Sequence, residues 1–364
     1  MMTLINRYMI FVIAALAILS SCAKETYEDN QEQTAICLTV DVPETKASIF
    51  DSPASLKNSN VGGGDFAVHA IISGNTSATG NIFMNDVRVN YFPDAGDWRF
   101  MDKKGQYVNF YWPLGDETLD FFGHFPLDPE EAAVSDVSFT YEDGPSFKFS
   151  LPLYSYDPSA DRNADRVSSK TPNQDGLREF VYSYVRAQSK ETQNADPANP
   201  GIKMDFSHPF AAVSFHLGQS YRMTLHDITL TNIKYEGIYS FDEGLPVDFT
   251  VDGQTGEPKV GDLWIEVEKG IPTPINFNSP IGGPYLVAPQ ILDDSSSLIV
   301  SYTRLDAQKE TKSVRLNSLG ADKWEAGRHY VYTLGLGNNE EEILFQVKVE
   351  KWTVIDYKNE VDVE

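Results

Sequence analysis

Side chains able to do chemistry are plentiful in this sequence, but few stand where chemistry would need them. The six histidines, His69, His124, His208, His216, His226 and His329, include no HxxxH or HExxH pair of the kind that turns two imidazoles toward one zinc ion. Asp157, Ser159, Asp161, Asn163 and Asp165 place oxygens at alternate positions, as a calcium loop does. The sixth position of such a loop needs Gly and the twelfth an acid, and here they are Arg162 and Ser168. There is no Gly-x-Ser-x-Gly, phosphate loop or dinucleotide fingerprint. Acid pairs such as Asp293-Asp294 and the run Glu340 to Glu342 are ordinary in a chain with 53 acidic residues. No catalytic residue, metal ligand or cofactor is expected, and the protein is not expected to be an enzyme. Two groups keep a chemical role. They are the Cys22 thiol, which follows an apolar run, and Lys46, a basic residue that a protease could recognise.

Cys22 closes an export segment. Arg7 supplies a positive start, and Met9 to Leu19 is an apolar run of 11 residues, the length of a signal-peptide core and too short to span a bilayer. The order Leu19-Ser20-Ser21-Cys22 resembles the bacterial lipobox. That resemblance implies cleavage between Ser21 and Cys22 and acyl chains such as palmitate on Cys22, enough for stable anchoring. Residues 1–21 are then a lipoprotein signal peptide and 22–33 a polar tether. Position 24 is Lys. Lys24-Glu25 and Glu28-Asp29 resemble the acidic export signals of surface-exposed lipoproteins in Bacteroidota, which implies an outer-membrane lipoprotein displayed at the cell surface. With Cys22 taken by lipid, Cys37 is left without an intramolecular disulfide partner and is expected to be a small buried hydrophobe in the first strand.

The elements that hold these groups are strands. Short runs rich in Val, Ile, Phe, Tyr and Thr alternate with Gly, Pro, Asn and Asp. Examples are residues 66–72, 86–91, 118–124, 146–151, 211–217, 225–235, 262–267, 298–303 and 343–349. Only Asp128 to Ala133 looks able to make a helical turn. The class is all-β, with spacings that suit sandwiches. The length of 364 residues suggests two domains, and the polar stretch Ser189 to Gly201 reads as the break between them. This gives an N-terminal domain over 34–199 and a C-terminal domain over 200–364. The net charge of −24 repels nucleic acid, so nucleic acid is not an expected partner.

An ordered set of motifs carries a family resemblance. Val108 to Pro113 (VNFYWP) precedes Leu119 to Pro126 (LDFFGHFP), then Phe206 to Phe215 (FSHPFAAVSF). Tyr285 to Gln290 (YLVAPQ), Trp324 to Leu334 (WEAGRHYVYTL) and Val349 to Trp352 (VEKW) follow. With the lipobox and Thr45-Lys46-Ala47, this order resembles the fimbrillin family of Bacteroidales, Mfa-like subunits of type V pili. The resemblance implies two transthyretin-like β-sandwich domains in tandem. It implies partners that are other fimbrillin subunits, an acyl anchor in outer-membrane lipid, and a host receptor or glycan as the target of adhesion. In polymerising members a trypsin-like protease cuts after the first strand, which leaves. A C-terminal strand of another subunit then fills the groove.

The residues can be tested against that mechanism. In Thr34 to Val42 the apolar side chains Ile36, Leu38, Val40 and Val42 share one face, as a detachable strand requires. At the other end Ile355, Tyr357, Val361 and Val363 share a face interrupted only by Asn359, against Asp356, Lys358, Glu360, Asp362 and Glu364, as a donor strand requires. Lys46, before Ala47, is the candidate processing point. The expected function is a structural subunit of a surface fimbria, assembled by strand exchange and supporting adhesion. The competing expectation is an unpolymerised anchor or glycan-binding lipoprotein, with Tyr91, Trp98 and Trp264 as stacking aromatics if they are not core.

Overall fold

The computed structural model describes residues 34–41, 65–73, 81–92, 94–140, 143–152, 177–197, 200–217, 223–242, 245–246, 259–267, 279–304, 308–336 and 343–351. The first strands are β1 (Leu38–Asp41), β2 (Asp65–Ile72), β3 (Ile82–Phe92), β4 (Asp97–Met101) and β5 (Leu119–Phe125). Then come β6 (Val134–Thr140), β7 (Gly144–Ser150), β8 (Val181–Gln188) and β9 (Ile202–Asp205). The second half continues with β10 (Ala211–Leu217), β11 (Met223–Lys234), β12 (Glu236–Asp242), β13 (Leu245–Pro246), β14 (Val260–Glu266) and β15 (Ser279–Val287). It ends with β16 (Gln290–Ile291), β17 (Ser297–Arg304), β18 (Lys309–Arg315), β19 (Lys323–Trp324), β20 (Arg328–Leu336) and β21 (Ile343–Lys351). The fold is all-β, as the alternating sequence requires. The expected turn at Asp128 to Ala133 is a 3-10 turn over Pro129–Ala132, with the Asp128 carboxylate accepting from Glu130 N–H at 3.1 Å.

A seven-stranded sheet, in the order β8-β5-β2-β3-β4-β1-β9, carries the first core. Every strand of it sends apolar side chains inward. Val181, Phe121, Phe66, Val89, Phe100, Leu38 and Met204 belong to one buried cluster. The sheet curls round this core, and its two ends meet where Tyr182 and Ser207 exchange backbone hydrogen bonds of 3.0 and 2.7 Å. In β5, Leu119 and Phe121 face this core while Phe122 joins a different one, the alternation expected of a strand.

Two four-stranded sheets, β15-β10-β20-β21 and β14-β11-β17-β18, share a second core. Val213, Phe215 and Leu217 of β10 and Tyr332 of β20 meet Ile228 and Leu230 of β11 and Val300 of β17 in it. The outer face of β10 is covered too. Ser214 and His329 are buried and lie 2.8 Å apart, Oγ to Nε2.

A third core joins the two halves of the chain. β7 pairs with β12 from Ser150↔Glu236 to Ser146↔Ser240. Phe122, Phe147 and Phe180 share a cluster with Phe210, Ala212 and Tyr239. Phe147 and Tyr239 stack at 4.9 Å and 6°. β9 follows the polar stretch 189–201 yet returns to the first sheet, beside β1.

Cys37 departs from expectation, since the structure has it disulfide-bonded. As an odd-numbered residue of the alternating strand it is only partly buried, so its sulfur is within reach of another. The chain's other cysteine, Cys22, lies outside the described residues.

Candidate functional site

The first strand is seated between β4 and β9, and the alternation in its sequence explains the seat. Ile36, Leu38 and Val40 are buried, while Ala35, Cys37 and Thr39 are only partly so. The three apolar side chains enter the core with Trp98, Phe100, Trp112, Ile202, Met204 and Phe206. Phe66 sets the floor, edge-on to Trp98 at 5.3 Å and to Phe206 at 5.2 Å. Burying three such side chains stabilises by about 5–9 kcal/mol before ordering costs.

The backbone is satisfied on both edges, by different means. On one edge Ile36 N–H donates to Phe110 O at 2.8 Å, and Thr34 O accepts from Trp112 N–H at 3.0 Å. Leu38 then pairs with Trp98 of β4. On the other edge β1 runs parallel to β9, from Leu38↔Ile202 to Asp41↔Asp205, with Ile202 N–H donating to Cys37 O at 2.8 Å. β9 begins too late to reach residues 35–37. Gln193 completes the ladder. Its Oε1 accepts from Cys37 N–H at 2.9 Å, and its Nε2 donates to Ala35 O at 3.0 Å. In a parallel ladder the N–H and C=O of one residue bond the carbonyl and the N–H that flank a residue of the neighbouring strand. The Gln193 side-chain amide does this around Ile36.

Gln193 is held in turn. It ends the helical turn α1 (Lys190–Gln193), which Ser189 caps through Glu191 N–H and Thr192 N–H while Thr192 Oγ1 accepts from Ser189 N–H at 2.8 Å. The Trp112 indole N–H donates to Gln193 Oε1 at 3.2 Å, and Gly201 N–H donates to Gln193 O at 2.9 Å. Gln193 is 2 % exposed. Gly201 has φ +148, and a Cβ there would lie 2.4 Å from Thr39 Oγ1 and 3.0 Å from Leu38 C. The glycine lets the chain pass against the strand.

Sequence reading missed Gln193 and α1, because residues 189–201 have a linker's composition. The signal present was the Ser189-x-x-Thr192 capping pattern. Of the expected detachable strand, Ile36, Leu38 and Val40 are in the seat, and Val42 lies outside the described residues. So do Ser21, Cys22, Lys46, Ala47 and the donor residues Ile355, Tyr357, Val361 and Val363. The aromatics considered for glycan stacking are drawn inward. Trp98 and Trp264 are buried, and Tyr91 packs on Trp98 with ring centroids 5.2 Å apart. The site therefore has the character of a strand-binding groove. An occupant needs backbone groups at two-residue spacing and an apolar side chain at every second position.

Comparison with known proteins agrees with this architecture. A family model described as fimbrillin-like matches residues 54–352. A fimbrial protein from Bacteroides vulgatus ATCC 8482 has a similar fold, with a TM-score of 0.57, 15% identity, and 88% of this chain and 99% of that one covered. The tip fimbrial protein Mfa3 from Porphyromonas gingivalis, truncated at its C-terminus, aligns over 86% of this chain and 99% of its own, at 10% identity and a TM-score of 0.40. No curated protein matches the chain. With a fimbrillin-like match across most of its length, the chain belongs to the fimbrillin-like family.

Proposed function

We propose that the protein is a structural subunit of a surface fimbria that polymerises by exchanging its first strand for the C-terminal strand of another copy or a related subunit. The observation that supports this reading is the seating of residues 34–41. They are held by an apolar face and two hydrogen-bonded edges, the same requirements that the C-terminal alternation Ile355, Tyr357, Val361 and Val363 meets. The segment that joins β1 to β2 contains Lys46. Cleavage there would leave residues 34–46 bound by non-covalent contacts alone. Two packed units, 34–199 and 200–364, carry out the two halves of the exchange, with β9 crossing over to complete the acceptor.

Before cleavage, acyl chains on Cys22 hold the precursor in the outer membrane, facing outward. A sulfur carrying diacylglycerol cannot also hold a disulfide, so lipidation of Cys22 excludes that sulfur as a disulfide partner. The mature fibre supports adhesion to a host receptor or glycan. The protein works by assembly and not by catalysis.

Deletion of residues 354–364 tests the reading. The truncated protein should stay folded and monomeric and give no heat-resistant ladders on gels, while the full chain gives them. Ladders from the truncated protein would overturn strand donation by the C-terminus.

A further inference from the structure

Among the described residues, His69, Asp86 and His124 form a group with one donor atom of each within 4.8 Å of the others. It lies away from the strand seat. β2 turns Phe66, Val68 and Ala70 toward the first core, so His69 points to the opposite face. There it stacks on His124 of β5, with ring centroids 5.6 Å apart and planes at 24°.

The third member arrives through a bulge. Val68 pairs with Val87 and Ala70 with Met84, so Asn85 and Asp86 together oppose the single residue His69. Asp86 sits at φ +53, a left-handed conformation costly for a side chain-bearing residue. Bulges re-aim side chains, and this one brings an exposed carboxylate over two buried imidazoles.

The tautomer of His124 suits a metal. His124 Nδ1 lies 3.0 Å from Pro126 O. A carbonyl only accepts, so Nδ1 carries the proton and Nε2 keeps its lone pair. Asp86 N–H donates to His69 Nδ1 at 3.2 Å, so the metal-free ring keeps its proton on Nε2; zinc at Nε2 would require that proton to move to Nδ1, where Asn85 Oδ1, 3.2 Å away, can accept it. That Nε2 is buried without a hydrogen-bond partner, on a residue only 6% exposed. Such second contacts are how metal-binding imidazoles are usually oriented.

We propose that His69, Asp86 and His124 bind one zinc ion, with the fourth position open to solvent on the Asp86 side. Two imidazoles and a carboxylate are a borderline donor set suited to zinc. Tetrahedral bonds of about 2 Å place ligand atoms about 3.3 Å apart, a gap the exposed Asp86 side chain can close. The ion would tie together β5, β2 and β3, three consecutive strands of the seven-stranded sheet.

Untagged protein stripped with a chelator and titrated with zinc sulfate in a calorimeter tests this. The wild type should take up one equivalent, with a rise in melting temperature. Asp86→Asn, on an exposed side chain, and His69→Gln should each weaken binding at least about tenfold. His226→Gln, in the second core's sheet, should bind as the wild type does. Absence of saturable binding by the wild type would overturn the site. So would wild-type affinity in both Asp86→Asn and His69→Gln, or an equal loss in His226→Gln.

Discussion

The side-chain amide of Gln193 bonds to the backbone of Cys37, accepting its N–H at 2.9 Å, and so extends the parallel β9 ladder one step beyond the end of the strand. The same amide donates to Ala35 O and accepts from the Trp112 indole. One residue, 156 positions away in sequence, thus closes one end of the groove.

Gln193→Ala leaves Cys37 N–H, Ala35 O and the Trp112 indole N–H without this partner. The expected cost is about 2–4 kcal/mol, since an orphaned buried polar group costs about 1–3 kcal/mol and water will reach some of these. Urea denaturation measures the loss. Hydrogen exchange should quicken at Ile36 and Cys37 well before it does in β5.

Gly201→Ala should loosen the same strand by a steric route. Its Cβ would meet Thr39 Oγ1 and the Leu38 backbone, and the strand must shift by a few tenths of an ångström or more. Overpacking of this kind costs about 1–3 kcal/mol. Limited proteolysis should cut between residues 34 and 64 faster than in the wild type.

Leu38→Ala removes the middle of the three buried side chains. Its cost should be about 2–5 kcal/mol in the intact chain. In protein cleaved after Lys46 it should speed release of the first strand, read by native mass spectrometry. Thr39→Ala, on the outward face, should leave release within about twofold, because surface substitutions seldom change stability by more than about 0.5 kcal/mol.

Much of this groove was legible in the sequence. The alternation of Ile36, Leu38 and Val40 is a local pattern, and burial follows it. So are the runs that became β2, β5, β10 and β17. What escaped is non-local. Gln193 is a polar residue in a polar stretch, and only the fold brings it to Ala35 and Cys37. His69 and His124 are 55 positions apart in sequence, and strand pairing between β2 and β5 makes them neighbours. The pairing of β7 with β12 likewise joins segments that no local pattern connects.

Stability should fall as the medium becomes acid, and His124 should contribute. Desolvation by burial, helped by the neighbouring His69, lowers its folded pKa from 6.5 to about 3. Below pH 6.5 the unfolded chain binds a proton there that the folded chain refuses. The contribution is complete above that pH and falls by about 1.4 kcal/mol per pH unit down to the folded pKa. Urea unfolding between pH 7 and 4 should show a shallower dependence in His124→Asn, whatever its stability at pH 7.

The exchange of the first strand is the central claim, and the amino terminus of assembled protein tests it most directly. Heat-resistant ladders recovered from the cell surface should be sequenced from their N-termini. The account predicts that the chain begins at Ala47, with residues 22–46 gone. Ladders in which every chain still begins at a lipid-blocked Cys22 would contradict it.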